Sequence, residues 1–217
     1  MTNQTVENYL KCIYSLQEGE PVSTNAIAER MDTKASSVTD MLKKLSSRGL
    51  VNYVKYQGVS LTKDGQSIAV RIIRKHRLWE VFLVEKLSFK WDEVHVIAEQ
   101  LEHIDSPELT RRLDEFLDFP RYDPHGDPIP DEQGRVLDKI KTCALSELVA
   151  QDCVMVVGVN DSSAAFLQYL EKMNLVLGTQ FTVEQVIEYD KSVCILVEGK
   201  SVQLSQQVAK NLNVKKV

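Results

Sequence analysis

Four histidines, His76, His95, His103 and His125, each stand within a few residues of a carboxylate, and the spacing gives them chemistry. His76 and Glu80 are i and i+4, so on a helix they share a face, and His95 and Glu99 repeat that interval. Glu99, Glu102 and His103 occupy i, i+3 and i+4. Imidazole nitrogen and carboxylate oxygen converging in this way form a donor set for a divalent cation. A single such pair is ordinarily a surface ion pair, and spacing alone leaves ion pairing and metal ligation both open. Catalysis has less support. There is no HExxH pair, Walker loop, GxSxG elbow or Gly-rich dinucleotide fingerprint, so the expectation is a protein that is not an enzyme. A metalloenzyme built from scattered ligands is the distant alternative.

The charge distribution points to a second chemistry. Between Lys34 and Arg77 ten basic residues face only Asp40 and Asp64, a local net of +8 in a chain of net charge −5. A basic face on an otherwise acidic protein suits a phosphate-binding surface rather than a general nucleic-acid coat. Between Asp92 and Glu132 the balance reverses, with thirteen acids against Arg111, Arg112 and Arg121.

These residues need elements to hold them. Val6, Tyr9, Leu10, Ile13 and Leu16 recur at helical spacing, and Glu-Gly-Glu-Pro at 18–21 ends that helix. Ser23 or Thr24 caps a second helix with Ile27, Ala28 and Met31 inward. A third begins near Ala35 with Val38, Met41, Leu42 and Leu45 buried and Gly49 as its C-terminal stop. Two β-prone runs around Gln57 and Gly58 follow, so the pattern is a helix-turn-helix with a wing. A long helix over 62–87, helices over 91–104 and 106–119, a Pro- and Gly-rich loop over 120–134 and a short helix near 135–150 come next. Residues 152–217 read as a small barrel-like β domain with one helix, AAFLQYLEKM.

The expected domains are a winged helix over 1–63, a helical metal-binding and dimerisation domain over 64–140, and a β domain over 141–217. The fold class is therefore mainly α, with a small C-terminal SH3-like β-barrel. Apolar surface on the helices between about 65 and 105 predicts a homodimer. Four scattered cysteines without a CxxC pair, no signal-like start and no apolar run of membrane-spanning length predict a cytoplasmic protein with no membrane partner. Cys12 reads as a buried helix thiol, and Trp79 and Trp91 as packing residues beside the histidines.

The chain resembles the diphtheria-toxin-repressor family of metalloregulators, in its long form. The resemblance rests on TVENYLKCIYSL, AERMDTKASSVTDMLKKLSSRGLV, RKHRLWEVFL, VHVIAEQLEH and DPHGDPIP. It implies a homodimer whose winged helices bind a palindromic, double-stranded operator once Mn(II) or Fe(II) is loaded, repressing metal-uptake genes. It places Asn8, Glu99, Glu102 and His103 at one metal site and His76, Glu80 and His95 at a neighbouring one. Asp123 and His125 of the loop, with Asp161 of the β domain, are the candidates to complete the second. Asn8 stands where relatives have Met or Asp, and Lys11 where manganese-type members have an acid. Ser162 and Ala165 stand at β-domain positions that iron-type members use. Glu99 replaces the Cys of iron-type members, so the set predicts Mn²⁺, with Fe²⁺ second and Zn²⁺ binding without full activation.

For DNA, Lys34, Ser36, Ser37, Thr39 and Asp40 open the third helix toward the major groove, while Lys43, Lys44, Arg48, Lys55 and Tyr56 meet phosphates. The rival reading is a winged-helix regulator switched by a small organic ligand or by thiol oxidation.

Overall fold

The computed structural model describes residues 4–17, 19–136 and 142–217, in two compact units. The first comprises the described residues of Met1–His76, Glu99–Pro107 and Pro130–Val136. It opens with α1 (Gln4–Leu16), which buries Val6, Tyr9, Leu10, Cys12 and Ile13. Next comes α2 (Thr24–Arg30), capped where Ser23 Oγ accepts from the Ala26 amide at 3.1 Å. Then α3 (Ala35–Ser47) buries Val38, Leu42 and Leu45 and leaves its other faces to solvent. Gly49 follows with φ +70, the left-handed turn that lets the chain double back after α3.

That turn delivers the hairpin of β1 (Val51–Val54) and β2 (Gly58–Leu61), paired antiparallel. An isolated bridge, Val22 to Val59 in both directions at 2.8 and 2.9 Å, ties the wing to the segment before α2. The Gln17 side chain accepts from Leu61 N at 3.2 Å and ties it to the end of α1. One apolar core joins α1, α2, α3 and the wing with Ile68 and Ala69 of α4 (Lys63–Leu87).

The division between units falls within α4. In the second unit, which comprises Arg77–Ala98, Glu108–Ile129 and the described residues of Leu137–Val217, α4 packs Leu78 and Val81 with Leu113 of α6 (Pro107–Phe116) and with Leu117 and Ile129. Leu83 packs with Val94 and Ala98 of α5 (Val94–Leu101). The C-terminal part is a six-stranded antiparallel sheet of β3 (Cys143–Ala144), β4 (Cys153–Val159), β5 (Gln180–Val186), β6 (Val193–Val197), β7 (Lys200–Leu204) and β8 (Leu212–Lys216), in the order β3-β8-β4-β5-β6-β7. Its core joins alternate strand residues such as Val154, Val156, Phe181, Val183, Ile195 and Val214 to Leu167 and Leu170 of α7 (Ala164–Lys172).

Three local readings change. The helix expected over 91–104 is only Val94–Leu101, because Trp91 is drawn into the core of the sheet and the residues just before Val94 form a turn. No α-helix occurs in the described part of 135–150; residues 137–141 lie outside the described residues, and Leu145–Glu147 form a single 3-10 turn after β3. The C-terminal segment adds α8 (Gln206–Asn211) and β8, which the sequence reading did not separate. Only Leu212 and Val214 of β8 are buried, a two-residue alternation too short to stand out among Asn and Lys.

Candidate metal centres and nucleic-acid interface

The first cluster lies within the first unit, where α1 meets the end of α5. Glu102, with a side chain 1% exposed, uses its two oxygens differently. Oε2 lies 2.5 Å from His76 Nδ1 and 2.6 Å from Lys11 Nζ. Oε1 lies 3.8 Å from His103 Nε2. The other ring nitrogen of His103, Nδ1, is 2.6 Å from Glu7 Oε2, so a buried carboxylate of α1 fixes the ring with Nε2 turned to Glu102. Lys11 Nζ is also 3.2 Å from His76 Nδ1 and 4.0 Å from Glu99 Oε1, whose side chain is half exposed. Burial pushes the Glu102 carboxyl upward, but the His76 hydrogen bond and the Lys11 ammonium outweigh it and hold it below its ordinary value.

Asn8 is exposed on α1, and the α1 residue that reaches His103 is its neighbour Glu7. Sequence reasoning missed Glu7. Its signal was available: Glu7, Leu10, Lys11 and Tyr14 lie at i, i+3, i+4 and i+7, so two opposite charges share a face with apolar residues. His76 likewise has in Glu102 a partner twenty-six positions away, a distance that helical spacing does not reveal.

The second cluster lies within the second unit. Glu80 on α4 is buried, with Oε1 3.3 Å from His95 Nδ1 and Oε2 3.5 Å from His125 Nδ1. Glu80, Asp123 and His125, all buried, each offer one ligand atom within 4.8 Å of the others. His95 stands at the rim, its side chain 50% exposed. Asp161 is in no such group among the described residues; its carboxylate accepts from the Ser163 amide at 2.9 Å, ahead of α7.

The loop that carries Asp123 and His125 is held from several sides. Asp123 Oδ1 accepts from the amides of His125 at 2.8 Å and Asp127 at 3.0 Å, closing a tight turn. His125 Nε2 is 2.9 Å from the carbonyl of Trp91, and the two rings stack with planes 10° apart. Gly126 takes φ +89, and a Cβ there would lie 2.0 Å from Val157 O of β4, so only glycine allows the loop to approach that strand. The Val159 amide then donates to His125 O at 3.1 Å.

Burial and repulsion from Glu80 and Asp127 push the Asp123 carboxyl up to about 6, although Arg77, 3.4 Å away, and His125 pull it back. Burial opposes charge on His125, yet Glu80 outweighs it and raises the imidazole above its ordinary value. Two buried carboxylates that repel one another are a place where a divalent cation relieves strain already present. The donors are two oxygens and a nitrogen, so the residues fit a Mn²⁺- or Fe²⁺-like ion.

The candidate DNA surface belongs to the first unit. Lys34, Ser36, Ser37, Asp40, Lys43, Lys44 and Arg48 are exposed on or beside α3, and Thr39 is half-buried with its hydroxyl donating to Ala35 O at 2.9 Å. At the wing tip Tyr56 is 92% exposed with φ +69, and Lys55 Nζ lies 4.8 Å from its ring centre. Lys43 is within 3.4 Å of Asp40, which leaves its charge partly compensated on the free protein.

With this geometry in hand, comparison with known proteins is specific. Residues 1–59 match the iron dependent repressor N-terminal DNA binding domain, 62–131 the iron dependent repressor metal binding and dimerisation domain, and 143–216 the FeoA domain. The diphtheria toxin repressor of Corynebacterium glutamicum is 30% identical over 234 residues, covering 98% of this chain and 96% of that protein. The iron-dependent repressor IdeR of Mycobacterium tuberculosis is 37% identical over 127 residues; that match spans 58% of this chain and about half, 55%, of the relative. A solved structure of a manganese-dependent transcriptional repressor in complex with manganese has a TM-score of 0.85 at 34% identity, covering 98% of this chain and 100% of that one. The winged helix, the two His–carboxylate clusters and the C-terminal sheet domain agree with these matches, and the protein belongs to the diphtheria-toxin-repressor, or iron-dependent-repressor, family of metal-dependent transcriptional regulators.

Proposed function

We propose that this chain is a transcriptional repressor that binds palindromic operator DNA as a homodimer when loaded with Mn²⁺, or with Fe²⁺ as the second choice, and so controls metal uptake. The observation that carries the reading is the convergence of buried Glu80, Asp123 and His125 in a protein whose first unit is a winged helix. These three residues, with His95 at the rim, would hold one ion; Glu99, Glu102 and His103 would hold another, with Glu7 orienting His103. The ion supplies positive charge that lets crowded carboxylates stay ionised together. The first cluster brings Glu7 and Lys11 of α1 to the end of α5, so stiffening it fixes the helix on which the reading head is built. Binding at either cluster then favours the DNA-competent conformation by differential affinity alone.

Exposed apolar residues of the second unit support the dimer: Leu87, Phe89, Val96, Leu109, Phe116 and Phe119 are all solvent-facing in the single chain. The thiol alternative is weakened at Cys12, which is buried in the winged-helix core and whose pKa is raised by that burial.

The test is operator binding titrated with Mn²⁺, anaerobic Fe²⁺ and Zn²⁺ against a chelator control. Binding is expected to be lost in chelator and restored best by Mn²⁺, with Zn²⁺ bound but less effective. Persistence in chelator supports the rival class of regulator, and equal activation by all three ions overturns the metal assignment.

The DNA face makes its own prediction. Lys43→Ala and Lys44→Ala are each expected to weaken binding to specific and nonspecific DNA alike. Each should also lower the slope of log affinity against log salt by roughly one unit. An unchanged slope removes that lysine from the interface.

A further inference from the structure

Glu102 has an imidazole at each of its oxygens, His76 at Oε2 and His103 at Oε1, at 2.5 and 3.8 Å. Each oxygen thus has one imidazole beside it and is a candidate to take one cation. Here one of the two places is taken by a side chain. Lys11 Nζ sits 2.6 Å from Oε2, 3.2 Å from His76 Nδ1 and 4.0 Å from Glu99 Oε1. Its side chain is 19% exposed, and the carboxylate it meets is 1% exposed, so this is not a loose surface pair. Lys75 also feels the charges of Glu7 and Glu102, but its ammonium donates to Ile104 O at 3.2 Å, and Lys11 is the lysine that meets Oε2 directly.

We propose that Lys11 is a built-in second cation of this cluster, its ammonium holding the Oε2 side of Glu102 so that the cluster takes one divalent ion, on the His103 side, and not two. The inference rests on the metal-binding reading of this cluster given above. An ammonium and a divalent ion cannot share Oε2: both need the same lone pairs of that oxygen, and at these separations their charges repel. The same contact ties α1 to Glu102 before any ion arrives. The remaining ion therefore acts on an element already half-fastened, and its site carries one positive charge more than its carboxylates alone imply.

The experiment is Mn²⁺ binding to the full chain by equilibrium dialysis, with electron paramagnetic resonance of the bound ions, on wild type, Lys11→Glu and Lys11→Met. Wild type should show magnetically isolated Mn²⁺ throughout. Lys11→Glu, which exchanges the ammonium for another oxygen donor, should bind one additional ion per chain and show an exchange-coupled pair. Lys11→Met, which removes the charge and adds no ligand, should bind the Mn²⁺ of this cluster, measured in a Glu80→Ala background that removes the other proposed site, at least about tenfold more tightly than the same background with Lys11 intact. This variant carries the test if Lys11→Glu does not fold without metal. A coupled pair in wild type, or unchanged stoichiometry in folded Lys11→Glu, overturns the proposal, as does unchanged affinity in Lys11→Met. Mn²⁺ uptake that Glu102→Ala and His103→Ala both leave unaltered removes the metal reading of the cluster itself, a result distinct from those three.

Discussion

Glu80→Ala is expected to raise the Mn²⁺ concentration needed for operator binding by on the order of 100-fold or more, the upper end of what loss of a supporting group at a metal site does, since Glu80 is a proposed direct ligand. Glu80 is the hub of the second cluster: 2% exposed, it meets His95 through one oxygen and His125 through the other, and its charge helps push Asp123 up. Removing it deletes a hard donor and the anchor of two imidazoles in one change. The metal-free fold should survive, because the substitution also removes one of two crowded carboxylates and leaves the apolar contacts of Leu78, Val81 and Leu83 along α4 intact. Trp91 supplies an independent readout: its ring stacks on His125, so its fluorescence should respond to Mn²⁺ in wild type and not in the variant. A half-activating Mn²⁺ concentration within about threefold of wild type would be incompatible with the proposed site.

The second large effect is expected in the opposite direction. Asp123→Asn should make the metal-free protein more stable at pH 7 while removing the stabilisation that metal confers through the Glu80, Asp123 and His125 group. In the folded chain the Asp123 carboxyl is pushed from its ordinary 3.8 up to about 6. A carboxyl raised in the folded state binds its proton more tightly there. Its favourable contribution is complete below the unfolded value and is lost as pH rises through the folded one. At pH 7 the ionised, buried group therefore destabilises the metal-free fold by roughly 2–3 kcal/mol, a figure that already includes the opposing pull of Arg77 and His125. Asparagine keeps a carbonyl oxygen for the His125 and Asp127 amides, so the turn persists without the charge. The melting temperature of the metal-free variant should exceed wild type by roughly 5 °C at pH 7 and by little at pH 4. In Mn²⁺ the order should reverse. A variant less stable than wild type at both pH values in chelator would show that Asp123 carries no stored repulsion.

Together the two substitutions separate what the cluster does for the fold from what it does for the ion. Glu80 and Asp123 are poor choices for stability alone, since burial of two mutually repelling carboxylates works against folding. Their retention makes physical sense as a spring that a divalent cation releases.

How far this was readable in advance differs from element to element. The winged helix was legible because its signals are local: Ser23 as a cap, the apolar stripe of Val38, Leu42 and Leu45, the turn at Gly49, and a hairpin around Gly58. The pairing of His95 with Glu80 was implied only through resemblance, because the two residues are fifteen positions apart on different helices. Asp123 and His125 stood out in a Pro- and Gly-rich loop, but nothing in DPHGDPIP shows that the loop is pinned by Trp91, Arg77 and β4. The strand β8 was invisible, since its two buried residues lie among polar ones and its place beside β4 depends on pairing across more than fifty positions.

What the sequence determined by itself was the menu: the helices, the wing, the basic face, and the histidines and carboxylates at helical spacing, all consequences of interactions within a turn or two of chain. What only the tertiary structure decided was which donors meet. It brought Glu7 rather than Asn8 to His103, gave His76 to Glu102, placed the Lys11 ammonium on the same oxygen, and left Asp161 outside the group formed by Glu80, Asp123 and His125. Those choices rest on how helices pack and on which buried charges find a partner. These energies depend on three-dimensional distance and burial, and spacing along the chain does not encode either.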